Sequence, residues 1–129
     1  PAWQVAGGFA AQHAEVLRAT RAAKAGAAVP LVSARSLALW TRYQPLPALG
    51  VGLGVVHRSD VYAALDNAVT LPGFTRVDGA LFLRLGPALR LQANVENLFD
   101  TVYYPTSHGN NNIMPGAPRT LRISLATGR

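Results

Sequence analysis

Six carboxylates and three histidines are the residues with which this 129-residue chain could carry out acid–base or metal chemistry. The acids are Glu15, Asp60, Asp66, Asp78, Glu96 and Asp100, and only Asp78 and Glu96 fall in stretches expected to be neighbouring strands. Paired carboxylates are what a glycosidase uses, but Arg76, Arg90 and Arg122 occupy the same kind of stretch, and acids beside arginines are more often salt-bridged wall residues. His13, His57 and His108 lack the His-x-x-x-His spacing of a helical metal site. There is no Gly-x-Ser-x-Gly elbow. There is no cysteine, hence no disulfide, no thiolate metal site and no thiol nucleophile. Gly50-Val51-Gly52-Leu53-Gly54 has the look of a nucleotide-binding loop, but such a loop needs a strand-to-helix turn and no helical pattern follows it. The chemistry points to no catalytic residue, no metal ligand and no cofactor, and so to a protein that is not an enzyme.

What these residues sit on is clearer than what they do. Residues 89–96, Leu-Arg-Leu-Gln-Ala-Asn-Val-Glu, alternate apolar and polar without a break, and residues 121–127 do the same with Leu121, Ile123 and Leu125 on one side and Arg122 and Ser124 on the other. A period of two is a strand with one oily face. Four more stretches follow suit. Residues 3–14 carry Trp3, Val5 and Phe9 at odd positions; 34–43 carry Leu37, Leu39, Thr41 and Tyr43; 49–55 carry Leu49, Val51, Leu53 and Val55 against three glycines; 75–83 carry Val77, Gly79, Leu81 and Leu83. Pairing across the turn after Tyr43 is expected to set the Trp40 ring over Gly52, a large ring covering a missing side chain.

The connections alternate in length: 18–31 long, 44–48 short, 58–73 long, 84–88 short, 98–117 long. Residues 14–28 favour a helix by propensity, but they show no 3.6-residue stripe and end at Gly26 and Pro30, so they read as a loop holding at most a turn of helix. Residues 97–119 are too rich in Asn, Gly and Pro for regular structure. Short turns at one end, long loops at the other and apolar residues on one face are the signature of an outer-membrane β-barrel. Half the residues are hydrophobic, yet no apolar run approaches the ~20 residues of a membrane helix. The net charge of +6 is spread singly along the strands rather than gathered into a stripe, which argues against a nucleic-acid partner.

One specific resemblance emerges. Asn94-Val95-Glu96-Asn97-Leu98-Phe99-Asp100, then Tyr103-Tyr104, Asn111-Asn112-Ile113 and Pro115-Gly116-Ala117-Pro118-Arg119, resembles the C-terminal end of a TonB-dependent outer-membrane receptor of the ferric-siderophore type. The likeness extends upstream through residues 71–78 and 39–43 and covers roughly the last hundred residues. It implies an all-β fold: an antiparallel up-and-down meander of about six strands, the last part of a curved transmembrane barrel that in this class has roughly 22 strands and a plugged lumen. All of residues 1–129 would belong to that barrel, as a fragment, since the chain begins at Pro1 without a leader, a plug domain or a TonB box. The resemblance implies a protein in the outer membrane of a Gram-negative bacterium. Its partners would be a ferric siderophore, the surrounding membrane lipid and lipopolysaccharide, and TonB acting through the missing plug. The alternative on pattern alone is a small self-contained barrel, a membrane anchor or a lipocalin-like binder, which needs ~8 strands to close.

The implied orientation puts the long loops outside the cell and Trp3, Tyr43 and the C-terminus at the periplasmic end, with Trp3 and Tyr43 in an aromatic girdle. Tyr103, Tyr104, His108, Asn110, Asn111 and Asn112 then lie in an extracellular loop and are the candidates for siderophore contact, although most residues of such a loop simply make turns. Family members usually end in an aromatic residue that helps assembly; here Arg129 holds that position, in phase with Leu121, Ile123 and Leu125. For strands 75–83 and 89–96, a three-residue turn would oppose Asp78 to Glu96 and Arg84 to Arg90. A five-residue turn would place Arg76 opposite Glu96 and Asp78 opposite Asn94. Like charges opposed across strands are unfavourable, so the longer turn is expected.

Overall fold

The structure is a computed structural model that describes residues 2–128; Arg129, whose place in the phase of the last strand bears on the expected assembly signal, lies outside the described residues. Among the described residues ten strands occur in chain order: β1 (Ala2–Ala11), β2 (Arg35–Leu46), β3 (Leu49–Arg58), β4 (Val61–Tyr62), β5 (Thr70–Leu71), β6 (Phe74–Arg84), β7 (Leu89–Glu96), β8 (Thr106–Ser107), β9 (Ile113–Met114) and β10 (Thr120–Thr127). The six long strands form one antiparallel sheet in the order β1-β2-β3-β6-β7-β10. This is the expected meander. Strands of 8 to 12 residues are close to the ~9–11 residues a tilted barrel strand needs to cross a bilayer. The sheet is open among the described residues, because β1 and β10 stand at opposite edges, so these six strands do not close on themselves as a small self-contained barrel would.

One face of the sheet is apolar from edge to edge. The pairing rows Val5↔Thr41↔Leu53↔Gly79↔Val95↔Leu121 and Tyr43↔Val51↔Leu81↔Ala93↔Ile123 run across it. The side chains on this face have nothing packed on them: Trp3 is 72 % exposed and Ile123 63 %. The other face carries Arg42, Gly52, Ala80, Asn94 and Arg122 in one row and Gly50, Phe82, Gln92 and Ser124 in the next. At the end with the tight turns, the rings of Trp3 and Tyr43 meet edge to face with centroids 6.4 Å apart, and the Trp3 indole N–H donates to the Thr41 hydroxyl.

Two register expectations fail. The β6–β7 pairing places Leu83 opposite Leu91 and Arg84 opposite Arg90, with the Leu85 N–H donating to the Leu89 carbonyl at 2.9 Å. This is the three-residue turn, not the five-residue one. One further step in that register brings Asp78 opposite Glu96. Turn geometry prevails because a closed hairpin loop fixes the register of every residue beyond it, whereas the charge conflict is removed at small cost by Arg76, whose guanidinium bonds Asp78 Oδ2 and Glu96 Oε1, each at 3.0 Å. The second failure concerns Trp40, which pairs with Gly54 rather than Gly52. Strand β2 continues to Leu46 through a shift between Tyr43 and Leu46, where Pro45, unable to donate a ladder hydrogen bond, is tolerated. The turn is thus shorter than 44–48. The indole nevertheless covers both glycines: a Cβ at either would lie 2.6 Å from the ring.

The loops differ from expectation in detail. Among the described residues no turn of helix occurs in 12–34, where the only pairing is a single antiparallel bridge between Glu15 and Ala28. Loops 59–73 and 97–119, the latter expected to lack regular structure, each contain a two-residue hairpin, β4–β5 and β8–β9.

Candidate functional site

The three long connections gather at one end of the sheet, and the chain's small apolar core lies there rather than on the sheet. Val61, Ala63 and Leu71, the last only 1 % exposed, pack together with Val69 and Tyr104 against them. Polar ties join the loops. The Asn67 side chain, set at φ 53°, makes a two-way pair with the backbone of Ala28, accepting from its N–H at 2.8 Å and donating to its carbonyl at 2.9 Å, and the Leu31 N–H donates to the Tyr62 carbonyl. Loop 59–73 is tied in turn to loop 97–119: the Ser107 hydroxyl donates to the Ala63 carbonyl at 3.2 Å, and the Asn110 amide donates to Asp66 Oδ2 at 2.7 Å.

Below the loops, four side chains from the polar face of β3 and β6 and from loop 97–119 form a row with an arginine at each end and two aromatic rings between them. Arg58 lies over Phe74 at 5.1 Å, Phe74 packs on Tyr103 with centroids 4.7 Å apart and the rings tilted by 40°, and Arg76 lies over Tyr103 at 5.8 Å. Arg58 also donates to the carbonyls of Pro105 and Tyr104, at 2.6 and 3.0 Å. Cation–π contact and a planar donor fork are both properties of guanidinium that lysine shares poorly. Arg76 additionally donates to the Tyr103 hydroxyl at 3.0 Å, so one arginine serves two carboxylates and a phenol. Tyr103 fits over Gly116 so closely that a Cβ there would sit 2.1 Å from the ring.

Asn97 locks the exit from β7. It is fully buried at φ 55°, a left-handed conformation that Asn tolerates. Its side chain donates to the carbonyls of Thr101 and Ala117 and accepts from the Thr101 N–H, while its own N–H donates to Asp78 Oδ1. Asp100, at φ 54°, accepts from the Arg119 N–H at 2.8 Å. The Asn97-Leu98-Phe99-Asp100 segment therefore pins the two ends of a long loop together.

The six candidate contact residues divide accordingly. Tyr103 is 6 % exposed and wholly engaged; Tyr104 is half-buried against the apolar cluster; Asn110 is half-buried on Asp66. His108, Asn111 and Asn112 present exposed side chains around the β8–β9 hairpin, closed by the His108 N–H donating to the Asn112 carbonyl. The structure thus brings three of them to the surface and uses three to build the loop. Arg58, Phe74 and Asn67 were not singled out as site residues from sequence, and Asp66 only as one of the six acids, because no local spacing links residues that meet only through strand register and loop docking. Among the described residues no group of three or more His, Asp or Glu side chains converges as a metal site would.

Comparison with known proteins settles the family. Residues 2–98 match the model of the TonB dependent receptor-like β-barrel. The chain belongs to the TonB-dependent receptor β-barrel family. Among curated TonB-dependent receptors it is 33% identical over 130 residues to the catecholate siderophore receptor Fiu of Escherichia coli K12, an alignment covering 96% of this chain and 17% of Fiu. It is 30% identical over 135 residues to the probable TonB-dependent receptor BfrD of Bordetella pertussis, covering 97% of the chain and 18% of BfrD. The closed form of the Fiu crystal structure superposes with a TM-score of 0.87 at 31% identity, over 98% of this chain and 19% of that one. The siderophore receptor PiuA of Acinetobacter baumannii shares the fold, with a TM-score of 0.85 at 23% identity over 95% of this chain and 19% of PiuA. The chain thus spans about a fifth of the length of these TonB-dependent receptors.

Proposed function

We propose that residues 1–129 are the C-terminal wall and loops of an outer-membrane transporter for a ferric siderophore in a Gram-negative bacterium. The observation that carries this reading is a six-stranded sheet with one unbroken apolar face and an opposite polar face, its long loops fastened together at one end only. An apolar face of that width with nothing packed on it calls for lipid. It would meet phospholipid near the tight turns and lipopolysaccharide near the loops, with Trp3 and Tyr43 at the periplasmic interface. The loop layer would face the medium, and the remainder of the polypeptide would supply the plug and its contact with TonB, through which import is energised.

Within the loops, His108, Asn111 and Asn112 would touch the siderophore, while Tyr103, Tyr104 and Asn110 hold the hairpin that presents them. Uptake of iron-55 tests the reading: cells lacking the chromosomal copy and carrying the full-length gene are supplied with a panel of ferric siderophores, beginning with catecholates because of the likeness to Fiu. Energy-dependent uptake of at least one complex, abolished when TonB is removed, is the expected result. A full-length protein that lies in the outer membrane yet supports uptake of none of the panel would overturn the proposal.

A further inference from the structure

The apolar face of the sheet differs at its two ends. At the tight turns it carries Trp3, Tyr43, Leu49, Leu83 and Leu89 and, among the described residues, no charge. At the loop end the same face carries Arg35 and His57. Register fixes their place: Ala11 pairs with Arg35, and Leu37 with His57, which pairs in turn with Thr75. Both side chains therefore fall in the phase of Phe9, Leu39 and Val55 and point away from the inward Arg58 and Arg76, and both residues are exposed. The acids of the long strands, Asp78 and Glu96, are on the opposite face, and the ion pairs among the described residues do not involve Arg35.

An arginine on a face that meets hydrocarbon is strongly unfavourable at mid-membrane and tolerated at the headgroups. A rise of ~3.3 Å per residue and a strand tilt of about 40° put Arg35 roughly 20 Å from the level of Tyr43 on the same strand, near the outer border of an apolar band ~25 Å tall. His57, one strand and ~4.8 Å away, bonds the Thr75 hydroxyl through Nδ1 at 2.8 Å, which leaves Nε2 for a partner outside the sheet. The connection above continues the pattern. Residues 12–34 hold exposed Arg18, Arg21 and Lys24 against one acid, Glu15, whose carboxylate lies 3.3 Å from His13, and Leu17 beside them is 83 % exposed. Exposed apolar groups flanking cations that have no counter-charge in the protein match the border between acyl chains and anionic headgroups. The planar fork of guanidinium fits phosphate in particular.

We propose that Arg35 and His57, with Arg18, Arg21 and Lys24 above them, form a docking surface on the outside of the wall for the phosphate groups of lipopolysaccharide. The inference rests on the transporter reading given above, in which this face lies in an outer membrane with the loops outermost. It concerns the opposite face from the lumen and a different ligand from the siderophore. Lipid held there would anchor the β1–β2 connection to the membrane, in addition to the Asn67 tie that joins it to loop 59–73.

The test titrates the full-length receptor in detergent with lipopolysaccharide, or with the same material after enzymatic removal of its phosphates, and follows the bound lipid by native mass spectrometry. Wild type should bind the phosphorylated form and lose most of that binding with the dephosphorylated one. R35Q/H57Q should weaken binding roughly five- to tenfold and R18Q/R21Q/K24Q roughly tenfold or more, in keeping with about fivefold for each cation lost beside an anionic surface. R35K/H57Q, which keeps the charge at the strand position, should recover part of the loss, and R122Q, on the lumen face, should behave as wild type. Heat-modifiable migration on gels confirms that each variant has a folded barrel. Inorganic phosphate alone should not displace the lipid; complete displacement would overturn the proposal in favour of a site for free phosphate. Glutamine variants that bind as wild type does, or a wild type that binds the dephosphorylated lipid equally well, would overturn the docking surface while leaving the transporter reading intact. A full-length protein that forms no folded barrel in outer membranes would overturn both.

Discussion

Asn97 shows how one side chain at a chain reversal can carry more than any apolar contact nearby. Its three side-chain hydrogen bonds join Thr101 to Ala117 across a loop of some twenty residues, in full burial. Asn97→Ala leaves buried backbone groups unpaired and puts a Cβ-only residue at positive φ, so it should cost about 2 to 4 kcal/mol in urea unfolding of the full-length protein. Asn97→Gly restores the backbone freedom but not the bonds and should recover only part of that loss. Equal stability of Asn97→Ala and wild type would show that the loop ends are held by other means. Tyr103 and Gly116 form a second such pair. Gly116→Ala should destabilise by about 1 to 3 kcal/mol because the ring has to move, and combining it with Tyr103→Ala should cost less than the sum of the single changes. Strict additivity in that double-mutant cycle would mean the ring and glycine do not compete for the same space.

Strand identity was legible in the sequence because period-two alternation survives any tertiary context in which one face is oily and the other polar. The six long strands, their meander order and the shared apolar face of Val5, Leu39, Val51, Leu81, Val95 and Leu125 follow from it. Register was not legible. Choosing between the two β6–β7 pairings by charge assumed that only directly opposed residues interact, whereas Arg76 reaches Asp78 on its own strand and Glu96 diagonally. A diagonal arginine makes the Asp78–Glu96 opposition harmless, so the turn decides. Likewise Trp40 shifted by two residues because β2 runs through Pro45. The residues that tie the loops, Arg58 at the end of β3 and Asp66 and Asn67 in loop 59–73, were beyond reach for a different reason: their partners are backbone carbonyls and loop amides whose positions exist only after the hairpins dock. Cysteine cross-linking in the full-length protein tests the register. A80C with N94C, opposed in the structure, should form a disulfide on mild oxidation, whereas A80C with Q92C, opposed only with the longer turn, should not. The reverse pattern would restore the longer turn.

The apolar face and the two sheet edges together govern how these 129 residues behave by themselves. In an ordinary soluble β-protein a second layer would cover the apolar face; here, among the described residues, the buried apolar cluster is the small one within the loop layer, far too little to offset the entropy of ordering the chain. Strands β1 and β10 also end the sheet with unpaired N–H and C=O groups, and β1 is long, uncharged and rich in small residues, which makes it a template for pairing with another copy. Expressed without the rest of a barrel, the chain should therefore aggregate in detergent-free buffer and remain dispersed only with detergent or lipid present. Adding charge on the apolar face addresses one contribution and not the other. Val51→Lys with Ile123→Lys should slow the hydrophobic association yet leave edge pairing, so aggregates of the variant should still bind an amyloid-type dye, whereas Val5→Pro on the edge strand should suppress that signal. Size exclusion in plain buffer gives the decisive reading: a sharp monomeric peak would mean that the six strands find a closed arrangement of their own, and the small-barrel alternative would then have to be taken up again.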